Sequence, residues 1–93
     1  MYDLNENDLL FEASKYSLDR EDGRMEIDVL KLIAGDASHE FIAVPTLIIG
    51  FAEKEFWGTG DTGIEALKEC LSRIKNVDVK TIFPSLKDVQ EGL

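Results

Sequence analysis

A glycine-rich junction between an apolar stretch and a helix constrains this sequence most. The junction runs from Phe56 to Leu67 and reads FWGTGDTGIEAL. Thr62, followed three residues later by Glu65, has the pattern of a capping box, in which two side chains bind the free backbone amides of a helix N-terminus. The pattern therefore predicts the end of a strand, a tight glycine turn and the capped start of a helix.

The predicted helix extends from Gly63 to Lys75. At about 100° per residue, one face collects the apolar side chains. These are Ile64, Leu67, Cys70, Leu71 and Ile74. A single apolar face of this width is typical of a helix that packs against one sheet, and Asn76 is a suitable C-terminal stop.

Two segments before the junction predict a β-hairpin. Residues 25–29 alternate apolar and acidic side chains, the period of a half-buried antiparallel strand. The preceding turn, residues 21–24, reads EDGR and contains the Asp-Gly pair that tolerates positive φ. Residues 9–18 have two interpretations, a helix capped by Asn5 or a lead into the first strand. We favour a strand from about Ser14.

A third strand is predicted from His39 to about Ile49, after a turn at residues 34–38. Pro45 lies within it, and because proline has no N–H, we expect an edge, a bulge or a bend there. Residues 52–57 predict a short fourth strand or the resumption of the third. Residues 77–83 alternate again and fit a further strand or a short helical turn.

The chain ends are predicted from shorter patterns. Residues 1–8 are polar and acidic and predict a loose arm. The terminal segment from Ser85 to Asp88 has a second capping-box pattern and predicts the start of a short helix. No internal repeat or linker interrupts the chain, so residues 1–93 are expected to form a single domain.

These elements predict the α+β fold class. The architecture expected is an antiparallel β-meander of three to four strands with one C-terminal amphipathic helix packed on one face. The alternative is an α-β-β-β-α arrangement with a true N-terminal helix.

The charge balance restricts the partners. Lys and Arg number 10 against 19 Asp and Glu, which gives a net charge of -9. Phosphate backbones and anionic membranes repel such a chain, so we expect neither nucleic acid nor a membrane as partner. One cysteine excludes an internal disulfide, and no signal-peptide pattern or long apolar run is present, so a cytoplasmic location is expected.

The glycine turn is one candidate site. Backbone amides at a helix N-terminus can hold an anion, and residues 58–63 are suitably placed. However, no lysine follows the last glycine, and Asp61 would repel phosphate, so the pattern is not that of a P-loop. A strand-to-helix turn that needs flexible residues explains these glycines better.

Other chemistry-bearing residues lack convergent partners in the sequence. His39 is the only histidine, and Cys70 lies at the edge of the apolar helix face, where a buried thiol behaves as a small hydrophobe. The carboxylate pairs are typical of solvated acidic surfaces. They are Glu21/Asp22, Glu26/Asp28, Glu53/Glu55 and Asp61/Glu65. We therefore predict no enzyme activity, no metal and no cofactor.

The candidate binding residues lie at the junction. On an alternating strand, one of Phe56 and Trp57 points inward while the other can be exposed, and an exposed aromatic residue beside a turn suits a binding surface. The predicted ligand- or partner-binding residues are Trp57, Gly58, Gly60, Asp61 and Thr62.

Two families share short patterns with this junction. The segment GDTGIEAL, residues 60–67, resembles the Gly-Asp-Thr, Glu-Ala-Leu signature of HicB-type antitoxin domains, and Val44-Pro45 resembles their Val-Pro. The resemblance implies a small antiparallel sheet followed by a helix and a partner RNase toxin. The segment WGTG, residues 57–60, resembles the strand end of double-stranded-RNA-binding domains. Their Lys-Lys pair is replaced here by residues 63–65, so RNA binding is not implied.

The function expected is a small acidic, non-catalytic module for protein interaction or regulation, with an antitoxin-like role as one form. Its partner is a protein, either a basic one or a second copy of the chain. The alternative is a regulatory domain that binds a small ligand or anion at the turn from Gly58 to Gly63.

Overall fold

The computed structural model describes residues 3–36, 40–47 and 50–84. Along the chain these residues form five strands, one 3₁₀ helix and two α-helices. They are β1 (Leu10–Arg20), β2 (Gly23–Ala34), β3 (Phe41–Leu47), β4 (Gly50–Phe51), the 3₁₀ helix (Lys54–Phe56), β5 (Gly58–Gly60), α1 (Gly63–Ile74) and α2 (Val79–Ile82).

Strands β1 and β2 form the predicted hairpin. Their antiparallel register runs from Arg20, opposite Gly23, to Phe11, opposite Leu32. The preference for a strand in this region is confirmed, but β1 begins at Leu10 rather than near Ser14. The alternative with an N-terminal helix is wrong, because the backbone of residues 10–20 pairs with β2 throughout.

The predicted N-terminal arm contains a turn. The backbone N–H of Asn5 donates to Asp8 Oδ2 at 2.8 Å, and the N–H of Asp8 donates to the Asn5 carbonyl at 3.1 Å. Met1 and Tyr2 lie outside the described residues.

Strand β3 pairs with β2 on one side and with two short strands on the other. Thr46 and Leu47 pair with β4, whereas residues 41–43 pair with β5, so both short strands share one edge of β3. Pro45 lies in the gap between them, and its carbonyl accepts the Ala52 N–H at 2.9 Å. The Pro45 backbone groups thus point away from β2, so the absence of a proline N–H removes no hydrogen bond between β2 and β3.

The fourth strand predicted for residues 52–57 is wrong. Residues 54–56 form a 3₁₀ helix, in which Phe56 N–H donates to the Glu53 carbonyl and Trp57 N–H to the Lys54 carbonyl, each at 3.0 Å. The sheet resumes only at β5. These hydrogen bonds within the 3₁₀ helix use backbone N–H groups that would otherwise be available to pair with β3.

Helix α1 begins and ends close to the predicted residues, but its buried face is rotated. Ala66, Cys70 and Ile74 are buried and Leu67 is partly buried. Ile64, which was expected to face the sheet, is 67% exposed. The rotation of the helix is due to packing. The smallest side chain on the helix, that of Ala66, lies against β5, where the helix approaches the strand closely.

The core lies between α1 and one face of the sheet. Its fully buried side chains come from β2, β3, α1 and α2 and include Met25, Ile27, Pro45, Ile74 and Ile82. Helix α2 replaces the strand that was one interpretation of residues 77–83, and the helical alternative is correct there. Asp22 in the hairpin turn accepts the Val79 N–H at 2.9 Å, which positions α2 beneath the sheet end.

The α+β class is confirmed. Strands β1 to β4 are consecutive neighbours, but β5 pairs with β3 rather than with β4, and α2 follows α1. Two predictions, the beginning of the third strand at His39 and the terminal helix from Ser85, lie outside the described residues.

Candidate functional site

Gly58 and Gly60 serve packing. Gly58 is buried against α1, and a Cβ placed on it would collide with the backbone of Ala66 and Cys70. A Cβ on Gly60 would lie 2.7 Å from the Glu65 Cβ and 2.9 Å from the Ala66 nitrogen. These two glycines therefore permit a close approach of strand and helix.

The helix start is capped by the chain itself. Thr62 is the N-cap residue, and its Oγ1 accepts the Glu65 N–H at 3.1 Å. The Glu65 carboxylate in turn accepts the Asp61 N–H at 3.1 Å. Two amides at this turn, those of Asp61 and Glu65, therefore already have acceptors, and the carboxylate among these acceptors would repel an anion.

Trp57 lies apart from the turn, on the opposite side of the sheet. Its indole Nε1–H donates to the Ala52 carbonyl at 2.8 Å, which holds the ring in one orientation. The ring lines a depression of about 210 Å³. We call this depression the free-face cleft, and its lining residues are Asp28, Leu30, Val44, Thr46, Phe51 and Trp57.

The free-face cleft lies on the sheet face that α1 does not cover. Leu30 and Val44 belong to the set of β2 and β3 residues that alternates with the buried Ile27, Val29 and Ala43. Among the described residues, no helix packs against this free face. The base of the free-face cleft is therefore apolar, and the cleft is open to solvent.

Two aromatic rings wall the free-face cleft. The Phe51 and Trp57 ring centroids are 6.2 Å apart, and the planes are inclined at 58°. Phe51 is 69% exposed, the highest value among the large apolar side chains of the described residues. Lys54 Nζ lies 6.0 Å from the Trp57 ring centroid, within the range of a cation–π contact.

Charged residues border the free-face cleft. Lys15 Nζ lies 2.7 Å from Glu26 Oε2 and 3.0 Å from Asp28 Oδ1. These carboxylates, Glu26 first, raise the pKa of Lys15 above its ordinary value. Asp28 Oδ1 is buried and has no hydrogen-bond partner, although Lys15 Nζ is close to it. Together with Lys54 over the Trp57 ring, the cleft therefore has two acids and two bases around it.

The Cys70 thiol is packed in the core. Its Sγ lies 3.4 Å from the Phe56 carbonyl and has no exposed surface. Burial raises its pKa to about 11, against a smaller lowering by Arg73. A thiol in this state is a poor nucleophile.

The remaining candidates lie apart. The carboxylates Glu26 and Asp28 are neutralised by Lys15, Asp22 binds the α2 backbone and Glu65 binds the helix cap. Within residues 3–36, 40–47 and 50–84, no three His, Cys, Asp or Glu side chains are grouped so that they could hold a metal ion. His39 lies outside the described residues.

The junction prediction located Trp57 but missed the rest of the free-face cleft. The five predicted residues divide between two sides of the sheet, with Trp57 on the free face and the four others at the helix end. The signal for the missed residues is in β3, where residues 41–45 are apolar at every position. Such a strand has no polar face to expose to water.

No helix in the described part of the chain is long and apolar enough to cross a membrane. Comparison with known proteins found no matching family model, no matching curated protein and no matching solved structure. The resemblances to HicB-type antitoxins and to double-stranded-RNA-binding domains remain predictions.

Proposed function

We propose that this protein is a non-catalytic protein-interaction module that binds a basic partner at the free-face cleft. The proposal includes a meander sheet with its long helix on one face as the scaffold, and a cytoplasmic location. The observation that carries it is the open apolar cleft around Trp57, because exposed aromatic side chains held in one orientation are frequent anchors of protein interfaces.

The chemistry of the partner follows from charge. The net charge of -9 attracts a cationic protein at long range, and Glu26 and Asp28 lie at the cleft, where Lys15 pairs with both and Lys54 lies over the Trp57 ring. The partner is thus expected to insert an aromatic or aliphatic side chain between Phe51 and Trp57 and to present Lys or Arg to the acids. A basic toxin of the type that the HicB resemblance implies belongs to this class.

Selection from a displayed random-peptide library tests the proposal. The selected peptides are expected to combine Lys or Arg with Trp, Phe or Leu, and to change the fluorescence of Trp57, the only tryptophan. Their affinity should fall as salt concentration rises, because screening weakens attraction between opposite charges. Uncharged or acidic selected peptides would contradict the proposal.

Two variants with matched exposure locate the binding surface. Phe51 is 69% exposed in the free-face cleft, and Ile64 is 67% exposed on the helix side. Phe51→Ser is expected to weaken peptide binding by about tenfold or more, whereas Ile64→Ser leaves it unchanged. Equal effects of both variants would remove the free-face cleft as the site.

A phosphate titration followed by NMR separates this function from anion binding at the glycine turn. The proposal expects the selected peptide to shift the amide signals of residues around Leu30, Val44 and Trp57. Phosphate is expected to leave the amides of residues 58–64 unshifted, because the Glu65 carboxylate already accepts the Asp61 N–H and would repel the anion. Saturable phosphate shifts there, without peptide shifts on the free face, would favour the ligand-binding alternative.

A further inference from the structure

Strand β1 has a long free edge. All 11 of its residues belong to one strand that pairs only with β2 in the described part of the chain. It contains no proline, and its only register irregularity lies between Leu10 and Phe11. Proteins usually protect such an edge with proline, bulges, charged side chains or covering segments. The charged residues Lys15 and Asp19 of β1 have opposite signs, so β1 is open to pairing with another strand in a register that sets these charges opposite each other.

The ladder determines which backbone groups of β1 point outward. The Leu32 N–H donates to the Glu40 carbonyl, so the even-numbered residues of β2 direct their backbone groups towards β3. Their partners in β1 are odd-numbered, for example Ser17 opposite Glu26. The N–H and C=O groups of residues 13, 15, 17 and 19 therefore point to the free edge.

We propose that two copies of this chain associate through their β1 strands, antiparallel, with the two-fold axis at Ser17. In this register Ser17 faces Ser17 of the second copy, and Lys15 faces Asp19. On the helix side, Tyr16 faces Leu18. Opposite charges and apolar neighbours are the favourable cross-strand pairs of an antiparallel sheet.

In this register, charged side chains of alternating sign lie side by side across four strands. Within one chain, Asp19 faces Arg24 and Lys15 faces Asp28. Pairing through Ser17 places Lys15 of the second copy beside Asp19, which gives the sequence of signs plus, minus, plus, minus from Arg24 to the second Asp28. An axis at Tyr16 would place Lys15 opposite Ser17, and an axis at Lys15 would set two ammonium groups against each other.

Side-chain exposure agrees with this interface. Tyr16 is 48% exposed in the single chain and would be covered by the second copy. Ser17 is also exposed. The interface uses the edge of the sheet, whereas the proposed partner site uses its free face, so the two proposals can fail independently.

Cysteine cross-linking tests the register. Ser17→Cys is expected to form a disulfide-linked dimer under mild oxidation, because the two Ser17 residues would be directly opposite. Ser14→Cys is the matched control, an exposed serine on the same strand that would face Arg20 of the second copy and should not cross-link. The buried Cys70 does not compete. Equal cross-linking of both variants, or of neither, would overturn the proposed register.

Charge variants test the pairing in solution. Lys15→Glu and Asp19→Lys each place like charges opposite each other, so each is expected to sediment as a monomer under conditions where the unmodified chain is a dimer. An equimolar mixture of the two variants should form a heterodimer, because positions 15 and 19 would then carry opposite charges in both cross-strand pairs. A mixture that stays monomeric would contradict the pairing.

A third variant distinguishes the loss of dimerisation from the loss of folding. Ser17→Pro removes an outward N–H and leaves the β1–β2 ladder intact, so it should keep the native circular dichroism spectrum and sediment as a monomer. An unmodified chain that stays monomeric at millimolar concentration, or a folded Ser17→Pro dimer, would refute the association.

Discussion

At the scale of single residues, the structure places several of the candidate side chains in packing and capping contacts. Cys70, the only thiol, is on the buried face of α1, and its pKa is raised to about 11. Asp61 and Thr62, predicted as binding residues, take part in the helix cap. The role of Trp57 as an anchor stays a prediction, and its ring lies on the opposite side of the sheet from the glycine turn.

The Cys70 thiol is expected to make stability fall at high pH. Its pKa is raised from 9.0 to about 11 in the folded chain, so between these values the unfolded chain loses the proton first. Deprotonation then favours unfolding, and the free energy of unfolding should decrease as pH rises through this range. Urea unfolding of the original chain and of Cys70→Ala measures the difference.

The Cys70→Ala variant should lose this part of the pH dependence. A thiol reagent provides the independent check, since the native chain should react far more slowly than the urea-unfolded chain at the same pH. Rapid labelling of the native chain would contradict the buried assignment.

At the scale of elements, the close contact of β5 and α1 decides how the helix is oriented. Gly58 faces the backbone of Ala66 and Cys70, and this approach turns Ala66 inward and Ile64 outward. The capping pattern and the apolar periodicity predicted the bounds of α1, but the predicted apolar face included Ile64 and left out Ala66. The glycines of the neighbouring strand decide which face is buried.

Gly58→Ala is expected to destabilise the fold by about 1–3 kcal/mol, because the added methyl group overpacks a strand–helix contact made by backbone atoms. Denaturant unfolding gives the free energy. Thr59→Ala is the control, since Thr59 is on the same strand but faces the other side of the sheet. Similar unfolding free energies for the original chain and the Gly58→Ala variant would show that α1 can move away at little cost.

At the scale of the whole molecule, Arg20 connects the hairpin to the helical layer. Its guanidinium donates to the Val77 carbonyl at 2.7 Å and to the Ile74 carbonyl at 2.8 Å, across more than 50 residues of sequence. Both carbonyls lie at or beyond the C-terminus of α1, where helix carbonyls have no partners within the helix. The contact therefore holds the end of α1 against the sheet.

Arg20→Met should lower the free energy of unfolding by about 1–3 kcal/mol, because it leaves two partly buried carbonyls without a charged donor. Thermal and urea unfolding measure the loss. Arg24→Met is the matched control, as Arg24 binds only the exposed Asp19 and should change stability little. An Arg20 variant as stable as the Arg24 variant would mean that water replaces the contact.

The sequence by itself determined the elements whose signals are local. The β1–β2 hairpin follows from its alternation and Asp-Gly turn, and α1 follows from its apolar stripe and the Thr62–Glu65 cap, since these patterns depend on residues within a few positions of each other. The tertiary structure alone decided the rotation of α1, the 3₁₀ turn at residues 54–56 and the assembly of the free-face cleft. These depend on contacts between distant segments, such as Trp57 with β2 and β3, whose geometry no local pattern encodes.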